Sequence, residues 1–174
     1  FTSLNKDQAL EFTIKGYPVS EYPDHDGVTE KLHTLGPGDE LLIKEPFGTI
    51  AYKGEGTFIA GGAGITPFIA IFRDLSEKCE LEGKTLHLSN KTREDIILAK
   101  ELRQRFSPEK LFFTLTREKV DGYLHGRIDN DMIQKAVYDV DQHFYVCGPG
   151  KFVSDITKAL EELGANTDSV VIEE

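Results

Sequence analysis

From Gly54 onward the chain alternates short apolar runs with amphipathic stretches of helical period, and this rhythm limits the folds open to it more than any other feature. The runs are Thr57–Ala60, Thr85–Ser89, Leu111–Thr116, His143–Val146 and Val170–Ile172. Between them lie the helical patterns Thr66–Lys78, Arg93–Phe106, Asp129–Val137 and Lys151–Leu163, the last ended by Gly164. Nearly continuous apolar strands have no solvent face, so they call for a parallel sheet covered by helices on both sides. The fold class expected is α/β.

Two of these strands end in glycine turns that open helices: Gly61-Gly62-Ala63-Gly64-Ile65-Thr66-Pro67 after the first, and Cys147-Gly148-Pro149-Gly150 after the fourth. Such a turn bares backbone N–H groups at the positive end of a helix dipole, which suits a pyrophosphate. One crevice can use both turns only if the first and fourth strands are neighbours, and the strand order 3-2-1-4-5 meets that condition. Counting from Gly62, Pro67 stands where the Gly-x-Gly-x-x-Gly fingerprint has its third glycine; proline is well tolerated in a first helical turn. The Gly-Lys-Ser/Thr end of a Walker loop is absent. Gly64 is read as the point where the pyrophosphate approaches, so Gly64→Val is expected to abolish nucleotide binding.

Before Gly54 the βα rhythm is missing. Leu10–Lys15 alternates apolar and polar residues as a half-buried strand does, and Leu41–Lys44 reads as another strand closed by Pro46 and Gly48. Between them, Val28–Leu35 reads as a short helix stopped by Gly36-Pro37-Gly38. The change of rhythm places a domain boundary near residues 50 to 55, with units 1–52 and 53–174.

A formal charge of −10 disfavours nucleic acid and anionic membranes, since no basic patch offsets it. The longest apolar stretches are far too short to cross a bilayer. Cys79 and Cys147 are the only cysteines, so a disulfide framework and a four-thiolate cluster are out of reach, and a cytoplasmic setting is expected. The five histidines lack metal-ligand spacing, and no metal is expected.

Three segments in order, Asp26–Leu32, Ile59–Phe68 and Tyr145–Pro149, with Gly38-Asp39-Glu40 and Pro46-Phe47-Gly48 between the first two, resemble the ferredoxin/flavodoxin-NAD(P) reductase superfamily over essentially the whole chain. The resemblance implies a partial antiparallel flavin-binding β-barrel followed by a five-stranded parallel Rossmann-like sheet. It implies an enzyme in which hydride passes from NADPH or NADH to FAD and electrons leave singly to an external ferredoxin, flavodoxin or small acceptor. A reductase component serving an oxygenase or a haem protein is a second reading, and a nucleotide-binding module without turnover a third.

On the flavin side the resemblance points to Thr2, Ser3, Ile14 and Lys15, and to Gly27, Val28 and Thr29 for phosphate; the same three residues also suit a plain helix cap. Phe1-Thr2-Ser3 is either the tail of the family's Arg-x-Tyr/Phe-Ser/Thr clamp or lies a couple of residues beyond it. No arginine precedes Phe1, and with no initiator Met or early barrel strands the chain reads as the remainder of a longer protein. On the nucleotide side the resemblance points to Gly62, Ala63, Gly64, Ile65, Thr66, Asn90, Lys91, Cys147, Gly148 and Pro149. Thr66, Cys147 and Glu173 are implied at the reacting rings, with Cys147 positioning the nicotinamide, although Thr66 also fits an N-cap, Cys147 a small buried hydrophobe, and Glu173 with Glu174 a solvated tail. Arg117 and Arg127 resemble residues that meet a 2′-phosphate, which tilts the expectation toward NADPH.

Overall fold

The computed structural model describes every residue except 25, 46, 47, 49, 138, 167, 169 and 174. Its centre is one parallel sheet: β1 (Gly56–Gly61), β2 (Thr85–Asn90), β3 (Leu111–Leu115), β4 (Leu124–His125), β5 (His143–Cys147) and β6 (Val170–Glu173), in the order β4-β3-β2-β1-β5-β6. The five expected strands take the expected 3-2-1-4-5 order. β4 is an addition at the β3 edge, pairing Thr114 with Leu124 and Leu115 with His125. Two residues are too few to show an alternation, so sequence periodicity does not reveal such a strand.

Helices cover both faces because β1 and β5 carry apolar residues on both, while β2 adds Leu86 and Leu88 to one. Phe58 and Ala60 of β1 join Leu86, Leu88, Tyr145 and the helix α2 (Thr66–Glu77) in one cluster. Ile59 joins Phe144, Val146 and the helix α5 (Gly150–Glu162) in the other. Aromatic rings hold the first cluster: Phe58 stacks on Tyr145 at 4.4 Å and meets Phe72 edge-on at 4.8 Å, and Phe72 meets Phe106 at 4.9 Å. Each such pair adds about 0.5–1.5 kcal/mol to the burial of its rings. The Tyr145 hydroxyl accepts from Lys53 N–H and donates to the Gly54 carbonyl, each at 2.9 Å, fixing the chain just before β1.

Two helices are shorter than their sequence patterns. Arg93–Phe106 is helical only over Ala99–Arg105, α3. The Asp95 carboxylate accepts from Thr92 N–H at 3.1 Å and from the Thr92 hydroxyl at 2.8 Å, a side-chain turn that competes with helix, and Leu98 has φ 51°. Val28–Leu35 narrows to α1 (Val28–Leu32), and the pattern at Asp129–Val137 narrows to α4 (Asn130–Ala136), capped by Asp129 accepting from Met132 N–H.

Residues 10–15 and 41–44, expected as strands, form none; the described residues before β1 contain α1 and loops. A strand exists through its ladder, and among the described residues the backbone contact of these two segments is a single bond from Thr2 N–H to the Glu11 carbonyl. Apolar side chains of both segments therefore face solvent, with Leu10 65% and Leu42 99% exposed. Pro46 and Phe47 of the Pro-Phe-Gly segment, His25 and Glu174 lie outside the described residues. Among the described residues no helix is long and apolar enough to cross a membrane.

Charge, more than apolar packing, ties the first residues to the sheet domain. Arg73 on α2 donates to Glu101 at 2.8 and 3.0 Å, to the Thr2 carbonyl at 2.7 Å and to Glu11. These bonds hold the Glu101 and Glu11 carboxyls below their ordinary range. Arg73 is mostly shielded, so Arg73→Ala is expected to cost about 2 kcal/mol, below the range for a fully buried pair. The measurement is chemical denaturation with hydrogen exchange over residues 1–15; unchanged protection there removes the claim that Arg73 anchors this segment.

Candidate functional site

β1 lies between β2 and β5, with Ala60 opposite Cys147 and Gly61 opposite Ser89. The two glycine turns therefore leave the sheet side by side at its carboxyl edge. Around them opens a crevice of about 750 Å³, within the size range of small-molecule sites. Its walls carry Gly61 to Gly64, Thr66, Pro67, Cys147, Gly148, Pro149 and Phe152, with the ends of β2 and β3 on one side and Lys15 and Tyr17 on another.

The glycines serve different purposes. A Cβ on Gly64 would stand 2.2 Å from the Cys147 carbonyl oxygen and 2.7 Å from Gly148 N, so this residue is bare because the two turns touch there. The expectation that Gly64 is bare to admit a pyrophosphate is thus corrected: its missing side chain faces protein backbone. Gly62 is the open one, with φ +57° and no atom within 4 Å of where a Cβ would stand. Gly61 and Gly148 are held against the Phe152 ring, where a Cβ would come within 3.1 and 2.8 Å.

The turn after β1 is itself a 3₁₀ helix (Gly62–Ile65) that runs into α2, where Thr66 N–H donates to the Ala63 carbonyl and Pro67 has no N–H. The amides that can meet a ligand on that side therefore belong to the glycine turn; neither its start, at Gly61, nor that of α5, at Pro149, has a side-chain cap. Two uncapped helix starts at one crevice form an environment for negative charge. Thr66 is the first residue of α2 rather than its N-cap, and its hydroxyl donates back to the Ala63 carbonyl at 2.9 Å, leaving its lone pairs as acceptors. Cys147 is 7% exposed and free of disulfide.

At the β2 end, Asn90 is 5% exposed, and neither Nδ2 nor Oδ1 has a hydrogen-bond partner in the structure. Orphaned buried carboxamides are costly, about 1–3 kcal/mol for each unmet group. Lys91 beside it reaches the Tyr22 hydroxyl at 3.2 Å. Lys15 pairs with Asp95 at 2.8 Å; burial pushes the Asp95 carboxyl upward, but the bonds from Lys15 and Thr92 prevail and hold it below its ordinary range.

The crevice thus gathers Lys15, Gly62, Ala63, Gly64, Thr66, Asn90, Lys91, Cys147, Gly148 and Pro149 from the expected set. Ile65 is buried in the core instead. Glu173 pairs through its backbone with Cys147 at the end of β6. Arg117 and Arg127 are exposed and outside the lining, Arg117 N–H donating to the Lys91 carbonyl. On the flavin side, the Thr2 hydroxyl is held by Glu11 and Thr13, Ser3 Oγ accepts from Glu11 N–H, and Thr29 Oγ1 accepts from Tyr17 N–H. The Ile14 carbonyl meets His33 Nε2, and Gly27 begins α1 with φ 72° and no side-chain cap, followed by exposed Val28. None of Thr2, Ser3, Ile14, Gly27, Val28 and Thr29 lines the crevice. Phe152 and Tyr17 were not anticipated. Phe152 was legible as an apolar residue in the first turn after a glycine turn, whereas Tyr17 reaches the crevice only through the path of an irregular segment.

Residues 58–158 match the family described as oxidoreductase NAD-binding domain. The chain is similar to NADH-cytochrome b5 reductase 2 of Mycosarcoma maydis, 29% identical over 85% of this chain and 44% of that protein. It is also similar to the enzyme of that name from Mus musculus, 29% identical over 87% of this chain and 66% of that one, and to a flavohemoprotein of Bacillus subtilis, 28% identical over 92% and 46%. It therefore spans about half to two thirds of the length of these relatives. In fold it resembles the CS-b5R domains of human Ncb5or in the NAD+ form, with a TM-score of 0.72, 23% identity, and 91% of this chain and 47% of that one covered. The FAD/NAD binding domain of a Vibrio cholerae nitric oxide dioxygenase gives 0.69 at 21% identity, over 88% and 67%.

Proposed function

The chain belongs to the oxidoreductase NAD-binding domain family, and from that premise we propose that it binds a nicotinamide dinucleotide across the crevice as the nucleotide half of an FAD-dependent NAD(P)H oxidoreductase. The observation that carries the reading is the pair of uncapped helix starts, that of the 3₁₀ turn Gly62–Ile65 leading into α2 and that of α5, brought to one crevice by neighbouring strands. The residues fit the ligand: Gly62 leaves space for a pyrophosphate, and the amides at both turns meet its charge. Cys147 and Thr66 flank the end where the nicotinamide rests, Cys147 as a small wall and Thr66 as a hydrogen-bond acceptor.

Bound FAD would supply the hydride acceptor and the means of passing electrons on singly. This chain contributes Lys15 and Tyr17 from the segment before the sheet, so the donor and flavin sites meet where that segment borders the glycine turns. The charge of −10 repels an acidic ferredoxin, and the relatives are named for cytochrome b5 and haem. A haem protein as the acceptor is the reading these two facts support, in place of ferredoxin or flavodoxin.

A second reading, a nucleotide-binding module that lacks flavin, draws on the engaged hydroxyls of Thr2 and Ser3. Mixing the purified chain with FAD, desalting it and adding NADH without oxygen separates the two. Retained yellow colour that bleaches supports the oxidoreductase; nucleotide binding without colour supports the module. Failure to bind NAD+ or NADP+ at all overturns both.

A further inference from the structure

Resting on the crevice being a dinucleotide site, we propose that Asn90 is the reader of the adenosine ribose and that its carboxamide lets the chain accept NADH and NADPH alike. Leu86 and Leu88 point into the α2-side cluster, and Asn90, two residues on, continues that side of β2 to the crevice wall. With the nicotinamide end at Cys147 on one flank of β1, an extended dinucleotide crosses the Gly62 turn. Its adenosine half then reaches the other flank, at the ends of β2 and β3.

Doubly wound sheets choose between the two cofactors at this place by charge: a carboxylate accepts from a 2′-hydroxyl and repels a 2′-phosphate, whereas a guanidinium attracts the phosphate. Here the lining contains neither among the described residues. It offers Ser89, Asn90, Thr116 and Lys91, the last already turned to Tyr22. A carboxamide carries both an acceptor and a donor, so Oδ1 suits a ribose hydroxyl and Nδ2 suits a phosphate oxygen. Both atoms stand without a partner while nine-tenths buried, which is the state of a group whose complement comes with the ligand.

The test is calorimetric binding of NAD+ and NADP+ to the purified chain, with no turnover required. Wild type is expected to bind the two within about tenfold of each other, and Asn90→Asp to weaken NADP+ by about fiftyfold while NAD+ changes less than about threefold, through like-charge repulsion. Asn90→Leu, close in volume and free of charge, is expected to weaken both by about five- to tenfold through the lost hydrogen bond. It serves as the deciding variant if the aspartate fails to fold. A wild-type preference beyond about a hundredfold overturns the inference, as does an Asn90→Asp that shifts both nucleotides equally or an Asn90→Leu that shifts neither. In those cases the nucleotide reading stands, because binding is still seen; loss of all binding in wild type overturns both.

Discussion

Gly64→Ala is expected to destabilise the protein by at least about 3 kcal/mol and to weaken nucleotide binding at least tenfold, although it adds a single methyl group. The cause is geometric. The new carbon would lie 2.2 Å from the Cys147 carbonyl oxygen and 2.5 Å from its carbon, and both belong to a β5 backbone fixed by ladders on each side. No rotamer change relieves a clash with backbone, so the two turns must part and the crevice between them changes shape. Gly62→Ala provides the contrast, with no atom within 4 Å and only the left-handed backbone at φ +57° to strain it. About 1–2 kcal/mol of stability is at stake there, while the methyl group enters the crevice. Thermal melting and calorimetric nucleotide titration of the two variants check the pair of expectations. A Gly64→Ala protein with wild-type melting and affinity defeats the account of why this turn is bare.

The second large effect is acid sensitivity seated at His87. Its ring is fully buried on the β2 face opposite Asn90, with Nε2 at 2.7 Å from the Thr114 hydroxyl, Nδ1 without a partner and Phe112 at 5.8 Å. Burial pushes its pKa from 6.5 down to about 4, the carboxylate of Asp129 opposing only weakly. The folded state therefore binds fewer protons than the unfolded chain between these values, and stability present above pH 6.5 drains away as pH falls toward 4. At 1.36 kcal/mol per pH unit the full loss is about 3 kcal/mol. Glu101, Glu11 and Asp95 also have lowered pKa values, but their contribution is complete above the ordinary carboxylate range and declines only below it. The interval from pH 6.5 to 5 thus isolates the histidine. Urea denaturation at pH 7, 6 and 5 is expected to show the slope in wild type and to lose it in His87→Leu, which is about 1 kcal/mol less stable at pH 7 because the Thr114 hydroxyl is orphaned. A wild-type protein equally stable at pH 6.5 and 5 contradicts this assignment.

The sheet domain was legible in the sequence because burial on both faces leaves a local mark. Runs such as Thr57–Ala60 and His143–Val146 are apolar at almost every position, the glycine turns punctuate them, and the order 3-2-1-4-5 meets the requirement that both turns share one crevice. The structure brings the two turns together where Ala60 stands opposite Cys147. Leu10–Lys15 and Leu41–Lys44 carried an equally clear signal yet form no strand. Alternation at 10–15 and the apolar run at 41–44 record which side chains would be buried in a strand, while pairing depends on a partner that lies elsewhere in the chain.

What the amino-acid order determined, then, is the βα rhythm, the helix starts that follow the two glycine turns and the residue types that meet a phosphate, all of which are set within a few neighbouring positions. Only the tertiary structure decided that Gly64 is bare for the sake of the Cys147 carbonyl, that Arg117 and Arg127 stand off the crevice while Tyr17 and Phe152 reach it, and that the Asn90 carboxamide lies buried in the crevice wall without a partner. Those facts are distances between segments far apart in the chain, as Lys53 and Gly54 are from Tyr145, fixed by how the sheet and its helices pack, and no local pattern encodes them.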